Sequence, residues 1–230
     1  MEIVRAENYD QSRAENLLRQ LTEQPRSSQA GVMMNDLLSE FHGGYPLDNL
    51  RLLLHSENAD VASVGAWIAS ELGSMGKPLL PDVLPLVRHP SKDVRFSIID
   101  CILLWGTNGT ELSAAVRLTS DPESSVRWKA MDFLSLATRD QLKLALSHLE
   151  ATEANSPHVR GLRWLISPKA SDVEELKLAL QDKDALFRKY AVVAAARIFR
   201  NNREPLFYAA TMQDPDVQNF AKSAINLMKD

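Results

Sequence analysis

Apolar positions recur along this chain with helical spacing. From Val94, steps of 4, 7, 8 and 11 residues reach Ile98, Cys101, Ile102 and Trp105. Those five side chains fall on one face of a helix. The same ruler set on Val61 gives Gly65, Ile68, Ala69 and Leu72; on Val126 it gives Ala130, Phe133, Leu134 and Ala137. On Phe187 it gives Ala191, Ala194, Ala195 and Ile198, and on Val217 it gives Ala221, Ala224, Ile225 and Met228. Ala30 fits with Met34, Leu37, Leu38 and Phe41. With Val159 added, the anchors are separated by 31, 33, 32, 33, 28 and 30 residues. A near-constant period with one internal pattern predicts stacked helical repeats, each burying its apolar face on its neighbours.

Between these A helices lies a second, shorter pattern, B, with apolar residues at i, i+3 and i+4. It runs Leu50, Leu53, Leu54; Val83, Leu86, Val87; Leu112, Ala115, Val116; Leu142, Ala145, Leu146; Leu176, Ala179, Leu180; and Leu206, Ala209, Ala210. Gly43 to Pro46, Gly73 to Pro78, Gly106 to Gly109 and Ser167-Pro168 break the helices. Asp121-Pro122, Ser156-Pro157 and Asp214-Pro215 predict N-caps followed by proline at the first helical position, and Ser91 is placed to cap the central helix. Residues 10–22, with Ala14, Leu17, Leu18 and Leu21 on one face, predict a capping helix ahead of repeats over about 28–230. No segment reads as a strand. The fold class expected is all-α, a single right-handed α-solenoid of helical hairpins over 1–230. One repeat is irregular: Arg163 stands where the ruler wants an apolar residue, and its A helix ends early at Ser167-Pro168. A local kink or altered stacking is expected there.

Composition leaves this picture intact. Hydrophobic residues make up 45% and charged residues 24% of the chain, as in ordinary globular proteins. The single cysteine excludes an internal disulfide, the first residues lack an apolar leader core, and no apolar run approaches a membrane span. A cytoplasmic location is the expectation. The net charge of −4 divides unevenly: residues 1–115 hold 9 Lys/Arg against 15 Asp/Glu, and residues 116–230 hold 17 against 15. An acidic total argues against a nucleic-acid partner.

The segments HPSKDVRFSIID, DPESSVRWKAMD, NSPHVRGLRWL, DKDALFRKYAVVAA and DPDVQNFAKSA open successive A helices. In that D-P-x-x-V-R opening and in their Leu-rich second helices, the hairpins resemble the short HEAT-like repeats of bacterial proteins. The resemblance covers the chain from Ala30 onward and speaks to architecture. Proteins similar in this way include scaffolds, bilin lyases, a DNA glycosylase group, and small immunity proteins that neutralise a cognate toxin. The stretch FHGGYPLDNLRLLL with VASVGAWIASELG looks most like the last kind. The resemblance also implies that the B helices line the concave side.

Candidate functional residues follow from that placement. Asp48, Arg51, Asp82, Arg88, Glu111, Arg117, Lys143, Glu174 and Lys177 would form a charged groove able to steer a protein partner. Acids at helix starts and bases at helix ends also serve the helix dipole, by about 0.3–1 kcal/mol each. The arginines following the anchors, Arg95, Arg127, Arg160 and Arg188, read as ties within the stack rather than a basic ladder. Arg188, Lys189, Arg197, Arg200 and Arg203 read as a solvated outer face. The five histidines show no metal-ligand spacing, Cys101 falls on a core position, and no phosphate loop or nucleophile elbow is present. Neither a metal, a cofactor, a small-molecule substrate nor an enzymatic activity is expected. Trp67, Trp128 and Trp164 are candidate interface anchors. The competing readings are a glycosylase-like enzyme, with a base stacked on Trp128 beside Asp132, and a general scaffold subunit.

Overall fold

The structure, a computed structural model, describes residues 10–227. Met228 and the opening residues read for a leader lie outside them. Among the described residues there are α-helices and short 3-10 segments and no strand. The fold is a helical repeat fold, and it divides into two compact units, Met1–Gly106 and Thr107–Asp230.

In the first unit, α1 (Ser12–Glu23) buries Ala14, Leu17, Leu18 and Leu21 and packs on α2 (Ala30–His42). A 3-10 turn, Leu47–Leu50, leads into α3 (Arg51–Leu54), which packs on α4 (Ala59–Glu71). Then α5 (Leu80–Val83) lies between 3-10 segments Gly73–Leu79 and Leu84–Arg88, and α6 (Lys92–Trp105) closes the unit. The A helices α2, α4 and α6 stack in chain order. All five ruler positions of α6 are buried. Trp105 Nε1 donates to Gly73 O at 2.7 Å, at the glycine whose φ of 58° ends the preceding helix. The first and second hairpins fit the pattern less well. Met34 and Leu38 are half-buried, as are Leu86 and Val87, where Pro81 and Pro85 break the B segment into short pieces.

The second unit contains α7 (Gly109–Arg117), α8 (Ser124–Leu136), α9 (Arg139–Thr152), α10 (Pro157–Leu165), α11 (Val173–Leu180), α12 (Ala185–Arg197), α13 (Glu204–Ala209) and α14 (Pro215–Leu227). Its B helices pair as α7 with α9 and α11 with α13. The A helices do not stack in chain order. Helix α8 bypasses α10 and packs on α12 and α14, while α10 packs on α12. The irregular repeat is the one bypassed. Every residue from Tyr190 to Ala196 is buried, as a helix enclosed on all sides requires. Small residues suit this: Ala130 on α8, Ala191, Ala194 and Ala195 on α12, and Ala221 and Ala224 on α14 are all buried. The A helices α8, α12 and α14 pack on one another and form one layer of this unit, with α10 set against α12.

Cations tie that layer together. Arg127 on α8 donates through Nε and Nη2 to both oxygens of Asp216 on α14, at 2.7 and 2.9 Å. Lys189 on α12, itself buried, reaches Thr119 O at 3.0 Å and Asp216 at 3.2 Å. At the other end of α8, Arg197 donates to Leu134 O, Ser135 O and Ala137 O. These carbonyls have no partner further along their own helix, so the guanidinium caps it. The solvated outer face expected for this cluster is incorrect for Lys189, which is buried, and for the half-buried Arg188, while Arg197, Arg200 and Arg203 are exposed. Arg188 donates to Asp214 at 2.6 and 2.9 Å.

The arginines after the anchors have a repeated structural task. Arg95, Arg127 and Arg188 each direct Nη1 to the carbonyls six and five residues before them: His89 and Pro90, Asp121 and Pro122, Asp182 and Lys183. Each locks the turn that leads into its own helix. Arg160 departs from this; it pairs with Asp182 and Asp184 and lies 3.8 Å over the Phe187 ring. Asp214 and Ser156 cap as expected, whereas α8 starts later than Pro122, with Glu123 at the cap position and Asp121 accepting from its N–H.

Candidate binding surfaces

The nine predicted charges fall into separate local groups. In the first unit Arg51 bridges Asp48 and Asp82, bonding Asp82 at 2.8 Å, and His55 Nε2 stands 3.1 Å from the other Asp82 oxygen. Arg88 is exposed and has no ion-pair partner among the described residues. In the second unit Glu111 accepts from Thr107 N and Asn108 N and completes a capping box at the start of α7. Its carboxylate is committed to the helix end. Arg117 bonds Glu153 and Ser113; Lys143 pairs with Asp140; Lys177 joins Glu174 at 3.2 Å to Glu204 at 2.7 Å. Of the nine, the structure brings together Asp48, Arg51 and Asp82, and Glu174 with Lys177.

The sequence reading missed the apolar side chains that share these helices. Leu178 on α11 is 67% exposed and Phe207 on the adjoining α13 is 47% exposed. Both fall between B-pattern core positions, so nothing in the period demanded an apolar residue there. The signal available was Leu178 itself, an apolar residue between the core positions Leu176 and Ala179. The Lys177–Glu204 pair spans the same two helices, and Gln181 donates to the Tyr208 hydroxyl at 2.8 Å. Exposed apolar side chains among paired charges are the composition of a protein-contacting surface.

Two open cavities flank Trp164 on the bypassed α10, of about 420 and 370 Å³. Trp164 meets Phe187 edge-on at 5.3 Å, and Arg160, Arg163 and Lys169 stand around it. Each cation already holds an acid: Asp182, Glu150 and Glu175 respectively. Arg163, the residue that broke the ruler, is exposed and does not perturb the core. In the first unit, Trp67 lines a cavity of about 360 Å³ with Phe96, Met34, Asp60 and Asp93. Trp128, by contrast, packs on Phe220, and Asp132 pairs with Lys129.

Beneath these surfaces the second unit holds a buried polar knot. His158 lies within 3.0 Å of the Tyr190 hydroxyl and 3.3 Å of Thr119 Oγ1. Burial, helped by the Arg117 charge, lowers its pKa to about 4. Burial raises the Tyr190 hydroxyl and the Cys101 thiol well above their usual ranges, so Cys101 is a core residue, as its ruler position implied. Asp216 is penalised by burial, yet Arg127 and Lys189 hold it below the usual carboxylate range. Among the described residues no group of three His, Cys, Asp or Glu side chains could hold a metal, and no helix is long and apolar enough to cross a membrane.

No protein-family model and no curated protein matches the chain. Several solved structures are similar at the level of fold. A designed armadillo repeat protein aligns with TM-score 0.45 and 16% identity over 91% of this chain and 98% of that one. Another, in complex with the peptide (KR)4, gives 0.48 and 15% over 94% and 99%. An engineered protein gives 0.49 and 15% over 94% and 96%. The reading of function below rests on the side chains, not on these similarities.

Proposed function

We propose that this chain is a protein-binding module that works by contact rather than by catalysis. The observation that carries this is the exposure of Leu178 on α11 and of Phe207 on α13, two packed B helices that the Lys177–Glu204 pair also spans. Water-exposed leucine and phenylalanine on adjoining helices are the residues a partner would cover, and the ion pairs would set its orientation. The remaining charged candidates, Asp48, Arg51, Asp82, Arg88, Glu111, Arg117 and Lys143, would act as outlying steering charges. The resemblance of the FHGGYPLDNLRLLL stretch to immunity proteins supports a more specific form of the reading: the partner is a toxin domain that binding neutralises.

The test is co-expression with the product of the neighbouring gene, followed by affinity capture and a growth assay. A stoichiometric complex that protects cells, lost in Leu178→Asp/Phe207→Asp with unchanged melting, is the expected result. A complex indifferent to both substitutions would remove this surface from the proposal. Binding without protection would leave a scaffold and eliminate the immunity form.

A further inference from the structure

The cavity on the first unit points to a ligand of its own, independent of the α11–α13 surface. Its walls are Trp67 from α4, Phe96 from α6 and Met34 from α2, and its rim carries Asp60 and Asp93 from the first turns of α4 and α6. We propose that this cavity is a receptor for a basic side chain, lysine or arginine, presented by a partner protein.

Acids in the first turn of a helix complement its dipole, which accounts for Asp60 and Asp93 taken singly. It does not account for two aromatic side chains lining the same cavity as these acids. An ammonium or guanidinium is the group that gains from both features, since the ring faces attract cations and the carboxylates neutralise them. The chain supplies a stand-in for such a ligand. Arg26, from the turn before α2, places Nη2 2.5 Å from Asp60 Oδ1 while its own side chain stays 79% exposed. A planar cation is therefore already accepted at the rim. Asp93 is exposed and has no hydrogen-bond or ion-pair partner among the described residues. A second cation can be received there, and an incoming side chain can also displace Arg26, because exposed ion pairs are weak. The charge of the unit acts in the same direction. Residues 1–106 hold 9 Lys/Arg against 14 Asp/Glu, a balance of −5, which draws basic partners from a distance.

Arg26 gives the proposal a test that a purely structural pair would fail. The full-length protein is titrated with the capped tripeptides Gly-Arg-Gly, Gly-Lys-Gly and Gly-acetyllysine-Gly, following the Trp67 indole N–H by NMR. The arginine and lysine peptides are expected to shift it saturably, and the acetylated peptide is not. Arg26→Gln removes the internal competitor and should tighten binding about two- to fivefold. Asp93→Asn should weaken it at least about threefold, and circular dichroism with melting confirms that both variants are folded. Three results would each overturn the assignment: no saturable shift with either basic peptide, equal binding of acetyllysine, or an Arg26→Gln variant that binds no better.

Discussion

The two units share one apolar ruler and use it differently. In the first, α2, α4 and α6 stack in chain order, and large residues such as Phe41, Ile98, Ile102 and Trp105 are buried. In the second, α8 reaches past α10 to α12 and α14, along a seam between helices that bury several alanines. Alanine lets helices approach closely but buries little area per residue. Long cations make up the difference, with Arg127, Lys189 and Arg197 bonding across the seam. The first unit is thus held by side-chain volume, and the second by close approach plus a few long polar ties. The difference shows that an A-helix pattern specifies which face is buried, while residue size decides which helices meet.

The strongest way to test this contrast is to remove volume where it matters most. Ile102→Ala in the first unit should lower stability by about 2–5 kcal/mol, as truncations in filled cores do. Hydrogen exchange read separately on peptides of each unit assigns the loss. A loss confined to the second unit's amides would contradict the described packing. Leu134→Ala on α8 should fall in the same range and expose the second unit.

The polar ties come next. Lys189→Met keeps the volume and removes the bonds to Thr119 O and Asp216, leaving that half-buried carboxylate with Arg127 alone. A loss of about 2–4 kcal/mol by chemical denaturation is expected. The exposed Lys92 of α6, replaced likewise, should change stability by less than about 0.5 kcal/mol. Equal effects at the two lysines would mean that Lys189 is solvated after all.

Acid should separate the units as well. His158 is enclosed by Thr119, Ser120 and Tyr190, with Arg117 and Lys189 disfavouring its proton and Glu153 and Asp184 favouring it. Its folded pKa of about 4 lies below the ordinary value near 6.5, so the unfolded chain takes up the proton first as pH falls. Stability is then complete above about pH 6.5 and is lost progressively toward pH 4, by up to roughly 3 kcal/mol. His158→Gln should flatten this acid limb in the second unit. His89 in the first unit is also lowered by burial, but it is only half-buried and contributes a smaller slope.

Much of this architecture was legible from Val94, Val61, Val126 and Val217, because period and apolar face are properties of consecutive residues. The packing of α8 past α10 in the second unit was not. Its cause lies in pairs such as Arg127 with Asp216, 89 residues apart, and no local pattern announces such a tie. The AVVAAA run was the visible clue, since a helix apolar on every side must be enclosed on every side. Gly161 was another. A Cβ there would come within 2.2 Å of the Tyr190 ring, so the bypassed α10 can lie on α12 only at a glycine. The charged candidates failed to converge for a different reason. Sequence places Arg117 and Glu111 on named helices, but not the Glu153 and Asn108 groups that occupy them.

A small effect is expected at the cluster Asp48, Arg51, Asp82 and His55 in the first unit. Arg51 is about one-third exposed and Asp48 more than half, so water and salt screen the pairs, and ordering the arginine offsets part of the attraction. Arg51→Gln should cost about 0.5–1 kcal/mol at low salt. A double-mutant cycle with Asp82→Asn isolates the pair itself, and its coupling should shrink further as salt is raised. A coupling above about 2 kcal/mol that ignores salt would mean the cluster is a desolvated tie like Lys189 and Asp216. The first unit would then be held by polar bonds as the second is, and the contrast between volume and ties would fail where it is most exposed to water.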